Sequence, residues 1–222
     1  MSKNFADLFQ SARHASAFFR ATSAHPDIYA HMPSGPFMTE ADFAKFLDER
    51  ANPNPAWLTL AVIDKTQPPS TEDDEGALAG MMTFFDTSAE HLSAEIGYVV
   101  TFPQFRRTHV TTNAVGLMLQ YAFAGEDEGG MGLRRVQWKA NAANAASIRV
   151  AERMGFRHEG VMRWHFVFRD GVSKGKVGNG RALPKGSREG DLGRDTVMLG
   201  LCWDDWEDGV REKVFRLMER KD

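Results

Sequence analysis

Cysteine is almost missing: the chain has 222 residues and one cysteine, Cys202. An intrachain disulfide framework is therefore impossible, and a cysteine-based metal cluster is excluded. Cys202 stands beside Trp203 in an apolar run and reads as core material rather than as a nucleophile. The histidines His14, His25, His31, His91 and His158 have no metal-ligand spacing, so no metal is expected. No apolar run approaches the length of a membrane span. The opening MSKNFADLFQSARH lacks the continuous apolar segment of a signal peptide. These absences set the expected location as cytoplasmic (cytosolic or nuclear), with no membrane partner. Excess positive charge is also lacking: Lys and Arg total 27 against 30 Asp and Glu, for a net charge of -3. No whole-molecule field draws in nucleic acid, and none is expected as a partner. The pair Arg134-Arg135 reads as a solvated strand edge.

What is present is an ordinary globular composition, 42% hydrophobic and 26% charged, on a chain long enough to bury a core. Helical spacing of Phe5, Leu8, Phe9 and Ala12 predicts a helix over residues 4–20. Residues 25–36, with three prolines and a glycine, read as a loop. Thr39 is an N-cap candidate with Asp42 three residues on, ahead of Phe43, Phe46 and Leu47. Strands are predicted at 57–63 (WLTLAVI), 78–85 and 94–101 (AEIGYVVT), the first two joined as a hairpin. A helix follows over 110–124, then a strand over 133–140 in which Val136, Trp138 and Ala140 alternate with Arg135, Gln137 and Lys139. Asn144 caps a helix running to Met154, and Gly155 sits where a left-handed terminating residue belongs. A strand with a break near Gly160 covers 156–170. A last strand and an amphipathic helix cover 195–203 and 206–220. Residues 64–76 and 171–193 read as mobile loops. The β-α-β-α middle demands a parallel crossover, and the flanking hairpins make the sheet mixed. The prediction is an α/β (α+β) fold: one domain over residues 1–222, core 57–206, with a mixed central sheet and helices on both faces.

Chemistry concentrates between Glu95 and Phe156. After the strand ends at Thr101, the loop PQFRRTH leads into a helix. Such a junction aims free backbone N–H groups and the positive helix end at one point, which suits a pyrophosphate. Arg106 and Arg107 add bidentate phosphate donors. Thr108, Thr111 and Thr112 add hydroxyls. Further on, the chain reads WKANAANAASIRVAERMGF.

This order of features resembles the core of the GCN5-related N-acetyltransferase (GNAT) superfamily. It is most similar to the branch of the ribosomal-protein N-terminal acetyltransferases, which carries Asn141, Asn144, Ser147 and Gly155-Phe156 in this arrangement. The resemblance covers residues 57–206 and is strongest over 94–165. It implies an acetyl-CoA-dependent transferase acting on a primary amine, either a small molecule or a peptide N-terminus. It implies that EIGYVV holds the cofactor's pantetheine arm, with Val99, Val100 and Thr101 at the thioester. It implies that Arg106, Arg107, Thr108, His109, Val110, Thr111 and Thr112 hold the pyrophosphate, and that Asn141 and Asn144 contact the cofactor. Ser147 stands at the position that protonates the departing thiolate; its alternative role is a capping serine. Glu95 is the candidate base, because a carboxylate on a central strand needs a task or a partner; its alternative is a sheet-face charge paired with an arginine such as Arg163. Trp138 and Trp164-His165 could line the acceptor pocket but read as core, and the acidic residues 72–75 could attract a cationic acceptor.

Two features depart from the family. Its phosphate loop usually has small residues where His109 and Thr111 stand. Its first strand is missing ahead of the first helix, and an unpaired sheet edge invites a homodimer. Both departures motivate a rival reading, a CoA-binding or partner-binding module without turnover.

Overall fold

The computed structural model describes residues 8–220. Six strands form one sheet in the order β1-β2-β3-β4-β6-β5. They are β1 (Leu58–Asp64), β2 (Ala77–Ser88), β3 (Ser93–Thr101), β4 (Arg135–Asn141), β5 (Arg157–Phe168) and β6 (Leu192–Cys202). The pair β3–β4 is parallel; all other neighbours are antiparallel. The mixed sheet is thus as expected, and the parallel pair is the one spanned by the crossover helix.

Alternation along the strands divides the core between the two sheet faces. On one face, Met82, Phe84, Ile96, Val136, Trp138, Leu199 and Leu201 meet α3 (His109–Phe123), α4 (Ala145–Arg153) and α6 (Arg211–Met218). On the other, Ala61, Met81, Val100 and Phe102 meet Phe18 of α1 (Ser11–Ser23) and Phe43 of α2 (Glu40–Phe46). Phe18 and Phe43 stack at 4.7 Å between ring centroids. The expected capping box is formed at Thr39 and Asp42. A one-turn α5 (Trp203–Asp205) and a kink at Gly209 precede α6, breaking the continuous helix expected there.

Several expectations are corrected. Of the helix expected over 4–20, residues 4–7 lie outside the described residues, residues 8–10 are not helical, and α1 begins at Ser11. Leu8 instead bridges to Leu60, and the Phe9 N–H donates to Thr59 O at 2.9 Å. Extended chain therefore covers that part of the β1 edge, where no first strand was expected. Gln10 supplies the turn into α1, its N–H donating to the buried His14 Nδ1 at 3.0 Å. Residues 25–36 include a 3-10 turn, Pro26–Tyr29. Cys202 is half-buried at the end of β6 rather than in the core.

Neither long loop hangs free. In the β1–β2 connection, Asp64 and Asp73 are buried, and Arg20 and Arg13 of α1 approach Glu72 and Asp74 at 3.6 Å each. Residues 171–193 are tied by Lys176, only 8% exposed, whose Nζ donates to the carbonyls of Tyr29, Met32 and Ser34 at 2.8 Å each. Val177 N–H donates to Ala30 O, and Asn179 Nδ2 donates to Asp195 Oδ1. An unspecific basic surface loop would leave these donors in water; here Lys176 and Val177 satisfy carbonyls of the α1–α2 connection and Asn179 ties the loop to β6.

Candidate active site

A cleft runs through the sheet because β3 and β4 pair over only three residues. Ser93, Ala94 and Glu95 align with Arg135, Val136 and Gln137, and the strands part beyond them. β3 stays with β2 to Thr101, and β4 stays with β6 to Asn141. A bulge drives the divergence. Met81 and Thr83 of β2 face Val100 and Gly97, so β3 has one extra residue there, and Tyr98 takes a left-handed φ of 48°. Gly80 makes room: a Cβ there would stand 1.9 Å from Val100 O. The opening is a cavity of about 1340 Å³ with mixed polar and apolar walls.

One end of the cavity is the β3–α3 junction. Arg106, Arg107, Thr108, Thr111 and Thr112 line it, joined by Arg149 and Arg153 of α4 and by Arg220. Thr108 caps α3, its Oγ1 accepting from Val110 N–H, and Thr101 and Thr111 hydroxyls meet at 2.9 Å. Arg153 donates to Thr112 Oγ1 at 3.1 Å, bridging α4 to α3. Arg106 donates to Thr101 O at 3.3 Å and lies 3.8 Å from Asp27. The left-handed backbone of the loop is borne by Arg107, at φ 61°. His109 and Thr111 are ordinary helical residues of α3, so the absence of glycine at those positions has no backbone consequence.

Two side chains expected to face a phosphate do not. His109 Nε2 lies 3.2 Å from the Oδ1 of buried Asp64, and neither residue lines the cavity. Val110 is 4% exposed and packs in the core. Only their main chains belong to the junction.

Val99, Val100 and Thr101 line the middle on the β3 side; Trp138, Ala140, Asn141, Asn144 and Ser147 line it opposite. The side chain of Asn141 is anchored at both ends: Nδ2 donates to Val177 O at 2.8 Å, and Oδ1 accepts from Ala143 N–H at 2.9 Å. Asn144 Oδ1 accepts from Ser147 N–H at 3.1 Å as the cap of α4. Trp138 Nε1–H donates to Ser147 Oγ at 2.9 Å. That oxygen is an acceptor here, which leaves the hydroxyl hydrogen free to be donated elsewhere.

At the other end stands Glu95, 2% exposed. Its partner is Lys139, with Nζ 2.6 Å from Oε2, not Arg163. Lys139 also reaches Asp86 at 3.2 Å. Burial pushes the Glu95 carboxyl up to about 7, with the Lys139 ammonium opposing. Beside it lie His31, Tyr98, His165, Phe166 and Arg194. Trp57, Phe85 and Tyr98 form an aromatic wall, with centroids 5.3 Å to 5.7 Å apart. His165 faces the cavity, whereas Trp164 is a partly exposed residue outside it. The acidic residues 72–75 take no part in lining it.

Residues missed in the sequence are Lys139, Arg149, Arg153, Lys176 and Arg194. Arg149 and Arg153 are four apart on one helix face, a legible spacing. Lys139 was legible as the outward member of an alternating strand, but not its partner. Arg194 lies just before the start predicted for the last strand.

A family model described as "Acetyltransferase (GNAT) domain" matches residues 8–157. Bacillus subtilis YoaA, described as an uncharacterized N-acetyltransferase, is 30% identical over 99 residues, 45% of this chain and 52% of YoaA. The matched region thus spans about half the length of that relative. Among solved structures, a GCN5-related N-acetyltransferase from Brucella melitensis is 26% identical with a TM-score of 0.72, covering 96% of this chain and 80% of that one. A probable acetyltransferase (GNAT family) from Chromobacterium violaceum is 26% identical with a TM-score of 0.71, covering 91% and 84%. The spermidine N-acetyltransferase of Vibrio cholerae, solved with CoA and spermine, shares the fold at 13% identity and a TM-score of 0.63, covering 91% and 97%.

Proposed function

Because this chain belongs to the GNAT acetyltransferase family, we propose that it binds acetyl-CoA in the cleft between β3 and β4 and transfers the acetyl group to a primary amine. One observation carries the reading: the strands part beyond Glu95, opening a passage from the arginine-lined end of α3 to a buried carboxyl. The dimensions and donor set fit the ligand. Arg106, Arg107, Arg149 and Arg153 suit its phosphates, and the unpaired inner edges of β3 and β4 suit its amide-bearing arm. When bound, acetyl-CoA supplies the activated acyl carbon.

The chain's own residues do the rest. The β3 backbone near Val99–Thr101 donates to the acyl oxygen. Glu95, raised to about 7, accepts a proton from the incoming ammonium, so a neutral amine attacks. As the C–N bond forms and the C–S bond breaks, Ser147 donates its hydroxyl hydrogen to sulfur; Trp138 holds its oxygen in place for this. The second proton lost by the nitrogen restores the Ser147 hydroxyl, so of the two protons that the ammonium loses one ends on sulfur by way of Ser147 and the other leaves Glu95 for solvent. The resemblance to the ribosomal-protein branch rests on Asn141, Asn144, Ser147 and Gly155-Phe156 and keeps a peptide N-terminus among the acceptors.

Calorimetric titration with acetyl-CoA tests the reading. Micromolar binding is expected, weakened at least ~10-fold in the Arg106→Ala/Arg107→Ala variant. Thiol release with an amine panel should fall by ~10² or more in Glu95→Gln. Absence of binding at millimolar acetyl-CoA would leave only the partner-binding form of the rival reading, a module without turnover.

A further inference from the structure

Arg194 sits on β6 opposite Phe166 of β5, at the Glu95 end of the cavity. It is 4% exposed. Among the described residues no carboxylate pairs with its guanidinium, and its Nε has no hydrogen-bond partner. Its packing is aromatic, with the guanidinium carbon 5.1 Å from the Phe166 centroid and 6.0 Å from that of Phe168. A buried cation without a counter-ion is costly and rare. Among the described residues the buried carboxylates Glu95, Asp191, Asp195 and Asp64 have Lys139, Arg169, Arg181 and His109 beside them, and the buried Lys176 ammonium is met by three carbonyls. Burial pushes Arg194 down to about 10, and Glu95 is the carboxyl whose field acts on it. It therefore stays charged at neutral pH. The neighbouring His31 and His165 each keep a buried Nδ1 without a hydrogen-bond partner among the described residues.

We infer that the missing counter-ion is part of the acceptor: the substrate is a small amine that also carries a carboxylate, with Arg194 holding the carboxylate while Glu95 faces the amine. This rests on the acetyl-transfer reading above and names its substrate class. A planar guanidinium backed by Phe166 offers paired N–H donors, the geometry that a carboxylate fills. The opposite charges of the acceptor then meet opposite charges of the site, which fixes the orientation of the amine.

The test uses the full chain and matched trios: each of several amino acids, its carboxamide, and its decarboxylated amine. Acetyl-CoA consumption should favour the carboxylate member by ~10-fold or more in kcat/KM, expressed mainly in KM. Arg194→Gln should bring the ratio of carboxylate to amide kcat/KM close to one, whatever it does to the two values together, while Arg194→Lys should retain part of the preference. Equal or better turnover of the amide or the decarboxylated amine overturns the inference and leaves acetyl transfer standing. So does turnover confined to peptides whose only carboxylate is remote from the N-terminus. If no amine is consumed although acetyl-CoA binds, the transfer reading fails. Calorimetry of the CoA-loaded protein with the same trios then decides the site alone: carboxylate-dependent binding lost in Arg194→Gln supports it, and no binding of any carboxylated amine overturns it. Thermal melting controls the variants, and Arg194→Gln should melt no lower than wild type, because it removes an unpaired buried charge. Should it fail to fold, the Arg194→Lys arm carries the same comparison.

Discussion

At the residue scale, Glu95 gives the sharpest expectations. Its folded pKa is raised to about 7 from 4.5, so the carboxylate that accepts a proton is populated only above that point. The ratio kcat/KM should therefore rise with pH through about 7. Lys139 opposes the shift, so Lys139→Met should move this limb to higher pH, and an unmoved limb would remove Glu95 as its source. Stability runs in the other direction. A raised folded pKa contributes stability that is complete below 4.5 and lost as pH rises through about 7. Glu95→Gln should then melt a few degrees above wild type at pH 8, read by calorimetric scanning. Arg107 is the second case. Its φ of 61° costs a non-glycine residue roughly 1 kcal/mol, which Arg107→Gly relieves. The variant should melt higher yet bind acetyl-CoA more weakly, a split that neither pure strain nor pure charge produces.

At the element scale, the segment between α1 and α2 is held over the Glu95 end by residues 171–193. Lys176 is the fastener, and burial pushes its ammonium down to about 8, so it is still charged at neutral pH. Lys176→Met leaves three carbonyls without their donor. A loss of roughly 2 kcal/mol is expected, seen as a melting point lower by roughly 5 °C. Limited proteolysis should cut within 171–193 faster, and acceptor KM should rise more than acetyl-CoA KM. Equal effects on both KM values would show that the fastener serves only the fold. The helices themselves follow local rules. Thr39 with Asp42 and Asn144 each cap a helix where the sequence places them, and Thr108 does the same for α3, because a capping oxygen needs only its own neighbours.

At the scale of the whole molecule, a net charge of -3 coexists with an arginine-rich cavity end. Arg106, Arg107, Arg149, Arg153 and Arg220 come from α3's entry, α4 and the end of the chain. Binding of acetyl-CoA should accordingly weaken several-fold between about 0.05 and about 0.5 M salt, because salt screens partly exposed charges. A titration insensitive to salt would assign the affinity to the apolar walls instead. Among the described residues no helix is long and apolar enough to cross a membrane.

The sequence by itself determined the alternation of the strands, the caps, the parallel crossover and the order of elements from Glu95 to Phe156 on which the proposed site is built. These are local patterns, set by side-chain period and backbone satisfaction within a few residues. It could not determine who meets whom. Lys139 rather than an arginine neutralises Glu95, Lys176 serves carbonyls some 140 residues away in the chain, and His109 turns to Asp64. Only the tertiary structure decided these, because a buried charge takes whichever partner the sheet register and the loop packing bring within reach. The bulge at Tyr98 is of the same kind: one extra residue between paired strands opens the cleft, and nothing in the local sequence of either strand marks the count.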